Sequence, residues 1–351
     1  MKQGQMMRVA MWYNNRDVRL EEIPVPQIGA GELLVRVEAS GICGSDGMEW
    51  YRLHKAPLVL GHEIAGVVVA VGEGERRYRE GDRVTVAHHV PCNTCHYCLS
   101  GHHGVCEALL SETHFDPGGF AEYIRVPAIN ADRGVFPLPQ EVSFEEATFV
   151  EPLACVLRGQ RMAHLRPGGS VLVVGSGIAG LLHVKLARSL GAGCIVATDV
   201  VEHRLAAAKK FGANAVFAAG DYTPECLRGV NNGRLADLVI ICTGAVAAVK
   251  QALQSVDRGG TVLFFAPANE GDAVPLSINE LFWRKEVTLT SSYAGPPADS
   301  TSALELLRSG SIDVREMITH RLGLEETEKG FYLLVHPQEG QAIKVIIEPQ
   351  R

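Results

Sequence analysis

The sequence predicts an α/β protein in two parts, one mostly β and the other a doubly wound parallel sheet. Three observations carry that reading. Up to about residue 150, glycine and proline break the chain into short apolar runs; beyond Glu151, such runs alternate with segments of helical periodicity; and a G-x-G-x-x-G turn at Gly175, Gly177 and Gly180 separates a strand candidate from a helix candidate. Alternating strands and helices imply right-handed crossovers and a parallel sheet covered on both faces. The length of 351 residues suits about two domains. A chain of this size hides roughly three quarters of its unfolded surface, so its stability does not require disulfides.

In the first part, Leu33–Val37 and Ile64–Val69 read as twisted strands, because apolar and β-branched residues run between turn residues. In the second, Val171–Val174, Cys194–Ala197, Leu238–Ile241, Val262–Phe265 and Val287–Thr290 read as strands, with Ile178–Leu190, Glu202–Phe211 and Ala245–Val256 as helices between them. The change of pattern puts a boundary near residues 145–165. Helix candidates at Ala303–Leu307 and Glu325–Leu334 and a last strand at Ala342–Ile347 form a tail expected to rejoin the first part.

With 46% hydrophobic and 21% charged residues the composition is that of a globular protein, and a formal charge of −7 makes nucleic acid and anionic membranes poor partners. No apolar run approaches the roughly 18 residues of a spanning helix, so no membrane partner is expected. Met1–Met7 lacks the apolar stretch of a secretory signal. The expected location is cytoplasmic and reducing, where clustered cysteines more often hold metal than form disulfides.

Each glycine of the turn has a mechanical task. Gly175 permits the tight bend, Gly177 lets a pyrophosphate approach the backbone, and Gly180 lets the helix that opens at Ile178 pack closely. Free N–H groups and the positive end of the helix then face the phosphates. Asp199 closes the next strand, 19 residues after Gly180, where a carboxylate accepts from an adenosine ribose and repels a 2′-phosphate. NAD is therefore favoured over NADP.

Cys92, Cys95, Cys98 and Cys106 put four thiols within 15 residues. Four thiolates complete a tetrahedral zinc and leave no position for substrate, which makes such a site structural. An iron–sulfur cluster is the rival, since the spacing partly resembles a ferredoxin run, and a redox C-x-x-C pair is the other alternative. Cys43-Gly-Ser45-Asp46 and Gly61-His62-Glu63 each follow a strand-like segment and join a thiolate, an imidazole and carboxylates; each taken singly is open to a core-filling reading.

Taken together, Cys43–Asp46, Gly61–Glu63, Gly81-Asp-Arg-Val84, the four-cysteine run, Gly119-Phe-Ala-Glu-Tyr123, Glu151-Pro-Leu153 and the glycine turn resemble, in order through the whole chain, the zinc-dependent medium-chain alcohol dehydrogenases. Glu151-Pro-Leu153, Cys242-Thr243-Gly244 and Thr319-His-Arg321 look most like the sorbitol (polyol) and threonine dehydrogenase branch. The resemblance implies a GroES-like mostly-β catalytic domain over 1–155 and 292–351, with a structural zinc lobe at about 91–107, around a Rossmann NAD-binding domain over 156–291.

It also implies a catalytic zinc on Cys43 and His62, completed by Glu63 or Glu151 directly or through water, with Asp46 orienting His62. Ser45 would relay the alcohol proton, or else serve only as a turn residue; Arg204 would lie over the adenine, and Thr243 beside the cofactor. The implied reaction is reversible oxidation of a secondary alcohol or polyol to a ketone. A threonine-type amino alcohol is the alternative substrate, and a non-catalytic, zinc-stabilised dinucleotide-binding protein the alternative class. Relatives are commonly homodimers or homotetramers.

Two positions depart from the family. Met48 stands where many relatives carry a proton-passing histidine, leaving His54 or water for that task, and Ser292-Tyr293 replaces an Arg-Tyr pair that helps hold polyol hydroxyls in sorbitol dehydrogenases.

Overall fold

The computed structural model describes residues 4–111 and 114–351. It contains two compact units, one holding the chain through Ala154 together with Ala294–Arg351, the other Cys155–Tyr293.

The second unit is a six-stranded parallel sheet. Its spatial order is Ala215–Ala218, Cys194–Asp199, Ser170–Val174, Ala236–Ile241, Val256–Phe264, Thr288–Ser291. Every residue of Ser170–Val174 is buried, as a central strand covered on both faces requires. The helices Ile178–Ser189, Glu202–Lys210, Pro224–Val230 and Val246–Gln254 lie in the crossovers. Chain order reverses between Ser170–Val174 and Ala236–Ile241, so the carboxyl ends of these two strands form the switch point at which such sheets bind ligands. The glycine turn begins there.

Among the elements that escaped the sequence reading are two of this unit. Ala215–Ala218 is a short, half-covered edge strand with no buried run to mark it, and Pro224–Val230 is a seven-residue helix. Val256–Phe264 also starts earlier than Val262, because Asp257-Arg258-Gly259-Gly260 interrupts its apolar pattern.

In the first unit, a seven-stranded sheet carries Ile318–Gly323, Lys344–Glu348, Leu33–Gly41, Glu63–Val71, Arg83–Val86 and Val135–Pro137 in that order, with Tyr123–Val126 also on Leu33–Gly41. Leu33, Val35, Val37, Ile64, Val68, Val84, Val86, Ile124 and Val126 form one core. The period-two alternation of these strands puts their apolar side chains on a single face. The tail does rejoin this unit: Ile346 pairs with Gly41 and Ile347 with Ser40. The helix expected at Glu325–Leu334 is divided into a tight turn, Leu324–Glu326, and a helix, Thr327–Val335. No helix among the described residues is long and apolar enough to cross a membrane.

Candidate active site

Strand register in the first unit gathers one group of side chains. Gly41 pairs with Glu63, so Cys43, just past the end of one strand, meets His62 and Glu63 at the start of its neighbour. Gly61 has φ +97°, and a Cβ there would lie 2.8 Å from the Phe120 nitrogen; only glycine turns the chain tightly enough to present His62. The tight turn Gly44–Gly47 follows Cys43 and is closed by the Cys43 N–H donating to Asp46 Oδ2 at 3.0 Å.

Asp46 is wholly buried, with Oδ1 3.4 Å from His62 Nδ1 and 3.5 Å from Arg52 Nη2. Burial works against its charge, but His62 and Arg52 hold the carboxyl below its ordinary range. Burial likewise opposes a charged His62, yet Asp46 and Cys43 pull its pKa well above the usual value. Asp46 and Cys43 thus favour positive charge at His62, and a cation bound there would displace its proton.

Glu63 is divided between two tasks. Its Oε2 is paired with the fully buried ammonium of Lys344, which also donates to the Ile42 carbonyl at 3.3 Å. Its Oε1 is buried without a hydrogen-bond partner among the described residues. A Cβ at Gly41 would collide with this ion pair, so the glycine keeps the space open. Burial raises the Glu63 pKa, with Lys344 opposing.

One ligand atom each from Cys43, His62 and Glu63 lies within 4.8 Å of the others. Thiolate, imidazole and carboxylate, one oxygen of them lacking a partner, suit zinc. Glu151, in the first turn of Val150–Met162, forms a second group of the same kind with His62 and His88, and its Oε1 is 3.2 Å from His89 Nδ1. Ser45 Oγ donates to Cys43 Sγ at 3.4 Å and accepts from Arg52 Nη2 at 3.4 Å. Met48 follows the turn, and His54 is exposed.

The four-cysteine run is a separate cluster in the same unit. All four sulfurs lie within 4.8 Å of one another, and none of the nine cysteines is bridged. Backbone N–H groups of Thr94 and Cys95 reach Cys92 Sγ at 3.5 and 3.3 Å, and that of Cys92 reaches Cys106 Sγ at 3.3 Å. The Thr94 and Cys95 donors lower the Cys92 thiol to about 6, whereas burial raises Cys98 to about 12. Donors aimed at sulfur stabilise thiolate, the form that binds metal.

In the second unit the glycine turn is built at the switch point. Gly175 has φ +93°, and a Cβ there would press on the Cys242 carbonyl at 3.0 Å and Thr243 Cβ at 3.3 Å. A Cβ on Gly180 would collide with the Gly175 carbonyl, so the close approach is to the turn itself as well as to Val173. Gly177 caps the helix that starts at Ile178, and a Cβ there would meet only the Arg204 guanidinium, at 3.8 Å. The buried Asp199 accepts from Ser176 N at 2.6 Å and Val201 N at 2.9 Å, tying the turn to the adjacent strand. Burial lowers the pKa of Arg204, with Asp199 opposing.

Residues 29–140 match the alcohol dehydrogenase GroES-like domain and residues 177–309 the zinc-binding dehydrogenase family. The sorbitol dehydrogenase of Bacillus subtilis is 31% identical over 99% of this chain and 98% of its own. The L-threonine 3-dehydrogenase of Bacillus velezensis is 33% identical over 99% of both. The chain is a zinc-dependent medium-chain dehydrogenase. An alcohol dehydrogenase of E. coli CFT073, rspB, solved with NADH, has a TM-score of 0.86 at 26% identity, covering 98% of this chain and 100% of that one. The dehydrogenase is thus an oxidoreductase acting on CH–OH groups with zinc and a nicotinamide cofactor.

Sequence reasoning passed over His88, His89, Arg52 and Lys344. All but Arg52 had a signal. Lys344 is a lone cation in the apolar strand Lys344–Glu348, and His88-His89 shortly precede the first cysteine of the lobe. Arg52 had none, because its contact with Asp46 depends on how the turn folds.

Proposed function

We propose that this dehydrogenase is NAD-linked and reversibly oxidises a secondary alcohol or polyol to a ketone, with a catalytic zinc on Cys43 and His62 and a carboxylate from Glu63 or Glu151. The observation that carries the reading is the gathering of Cys43, His62 and Glu63 donor atoms within 4.8 Å, with Asp46 behind the imidazole. The second zinc is structural and held by Cys92, Cys95, Cys98 and Cys106.

When bound, zinc with an open position lowers the pKa of an alcohol hydroxyl, and oxidised nicotinamide accepts the hydride. Asp46 fixes the ring of His62 by facing its Nδ1, which leaves Nε2 for the metal. Ser45, one hydrogen bond from Cys43 Sγ, would relay the hydroxyl proton, accepting it as it releases its own to water, and the positive charge of the neighbouring Arg52 favours that release outward. Met48 has no proton to pass, and His54 is exposed, so water carries the proton onward.

The buried charge of Asp199 at the glycine turn supports NAD over NADP, since a 2′-phosphate there meets repulsion. Ser292-Tyr293 supports a secondary alcohol or small polyol more than a long sugar alcohol. Catalytic segments 1–155 and 292–351, a nucleotide segment 156–291, a homodimeric or homotetrameric assembly and a cytoplasmic location complete the proposal.

A panel of secondary alcohols, polyols and L-threonine, followed by NADH absorbance with metal content measured in parallel, tests it. Turnover on at least one substrate, lost on chelation, is expected. A single zinc per subunit with no turnover on any substrate would leave a dinucleotide-binding protein.

A further inference from the structure

The metal pocket holds more donors than one tetrahedral ion uses. Beside Cys43, His62 and Glu63, the set His62, His88 and Glu151 also brings one ligand atom apiece within 4.8 Å. His88 lies two residues beyond the strand Arg83–Val86, its ring 4.8 Å from that of His62 and 3.6 Å from that of His89. His89 in turn sits against Glu151 Oε1 at 3.2 Å, the kind of support that orients a ligating carboxylate. Because Nδ1 of His62 faces Asp46, a single imidazole nitrogen serves both sets. The two sets are therefore alternative positions of one ion, not two ions at once.

We propose that His62, His88 and Glu151 form a second, thiolate-free position for a divalent cation, so that the pocket keeps its metal when Cys43 does not ligate. This rests on the catalytic-metal reading above. Two imidazoles and a carboxylate suit zinc and other first-row divalent ions without sulfur. A tetrahedral zinc with bonds of about 2.0–2.2 Å sets its donors roughly 3.3–3.6 Å apart. Closing the set from its present spacing takes side-chain rotation of about an ångström, within reach of the half-buried His88. The thiolate set is also partly engaged, since Lys344 already holds one oxygen of Glu63.

The test is zinc per subunit, by elemental mass spectrometry after exhaustive dialysis, for the full-length protein and for Cys43→Ala, His88→Ala and the double variant. Two zincs are expected in the unaltered protein and in each single variant, and one in the double variant. In chelator competition, His88→Ala should weaken zinc retention at least about tenfold more in the Cys43→Ala background than alone. NADH binding, read by fluorescence on the other unit, shows which variants are folded. If the double variant is not, Cys43→Ala/His88→Gln takes its place. One zinc in Cys43→Ala beside two in the unaltered protein overturns this inference alone, as does a double variant that keeps its second zinc as firmly as Cys43→Ala. One zinc in the unaltered protein overturns the catalytic-metal reading with it.

Discussion

The two candidate metal sites of the first unit are built in opposite ways. The four-cysteine lobe takes all its donors from one short segment, Cys92 to Cys106, with backbone N–H groups aimed at sulfur. The pocket takes Cys43, the adjacent pair His62 and Glu63, and Glu151 from three distant segments and surrounds them with Asp46, Arg52, His89 and Lys344. A closed set of like donors can only stabilise. A set of three protein ligands leaves a coordination position open, and when they are unlike groups it needs neighbours to hold them at working protonation and angle.

The sharpest way to break this contrast is to remove one donor from each. His62→Ala should lower kcat/KM by at least about a thousandfold, since several kcal/mol of charge stabilisation depends on the metal, with little change in melting temperature. Cys106→Ala should instead lower the melting temperature by more than about 5 °C, because structural zinc binding is folding energy. Zinc content, calorimetry and kinetics on the two variants check both. If both variants lose activity at unchanged stability, the lobe is not structural.

Lys344 tests how far the pocket depends on its support. Lys344→Met leaves Glu63 buried without its counter-charge and is expected to cost about 3–5 kcal/mol in denaturant unfolding, much of it recovered in Lys344→Met/Glu63→Leu. No recovery would mean that packing, not charge, governs the site.

A buried imidazole outside the pocket sharpens the contrast further. His183, in the other unit, meets Gln160 and Phe265 but, among the described residues, no carboxylate, and burial pushes its pKa down from 6.5 to about 3. Such a group binds more protons unfolded than folded between those values, so its contribution is intact above pH 6.5 and is lost as pH falls toward 3. At pH 4.5 the loss should be about 3 kcal/mol. Comparing denaturant unfolding of the unaltered protein and His183→Gln at pH 7 and pH 4.5 isolates it, and an equal pH dependence in the two would refute the assignment. His62, with Asp46 and Cys43 beside it, is displaced the opposite way.

Smaller effects are expected where a residue only supports. Asp46→Asn should reduce zinc affinity or turnover by about 10–100-fold, since it keeps the shape but removes the charge behind His62. Equilibrium dialysis of zinc, with kinetics, distinguishes that from no effect. Asp199→Ala should shift the NAD/NADP ratio of kcat/KM toward NADP by about tenfold, or 1.4 kcal/mol. An unchanged ratio would remove Asp199 from cofactor selection.

Legibility followed the same division. The gathering of the four thiols and the glycine turn could be read directly because both lie in spacing over a few residues, which backbone geometry translates into position. Cys43, His62 and Glu151 had to be taken from resemblance, since nothing in their own segments says that they meet. Lys344 was missed although a lone lysine in an apolar strand hinted at a buried partner. Naming that partner required knowing that Lys344–Glu348 lies beside Leu33–Gly41, which in turn pairs with Glu63–Val71.

By itself, the sequence determined the two-part α/β class, the nucleotide turn and the local thiol cluster, because hydrophobic period, glycine placement and close ligand spacing act over one or two turns of chain. Only the tertiary structure decided which carboxylate faces Lys344, which histidines stand around His62 and how Asp199 is tied to the turn. Those contacts join residues far apart in the chain, and their energies depend on burial and on strand register, which short-range patterns do not encode.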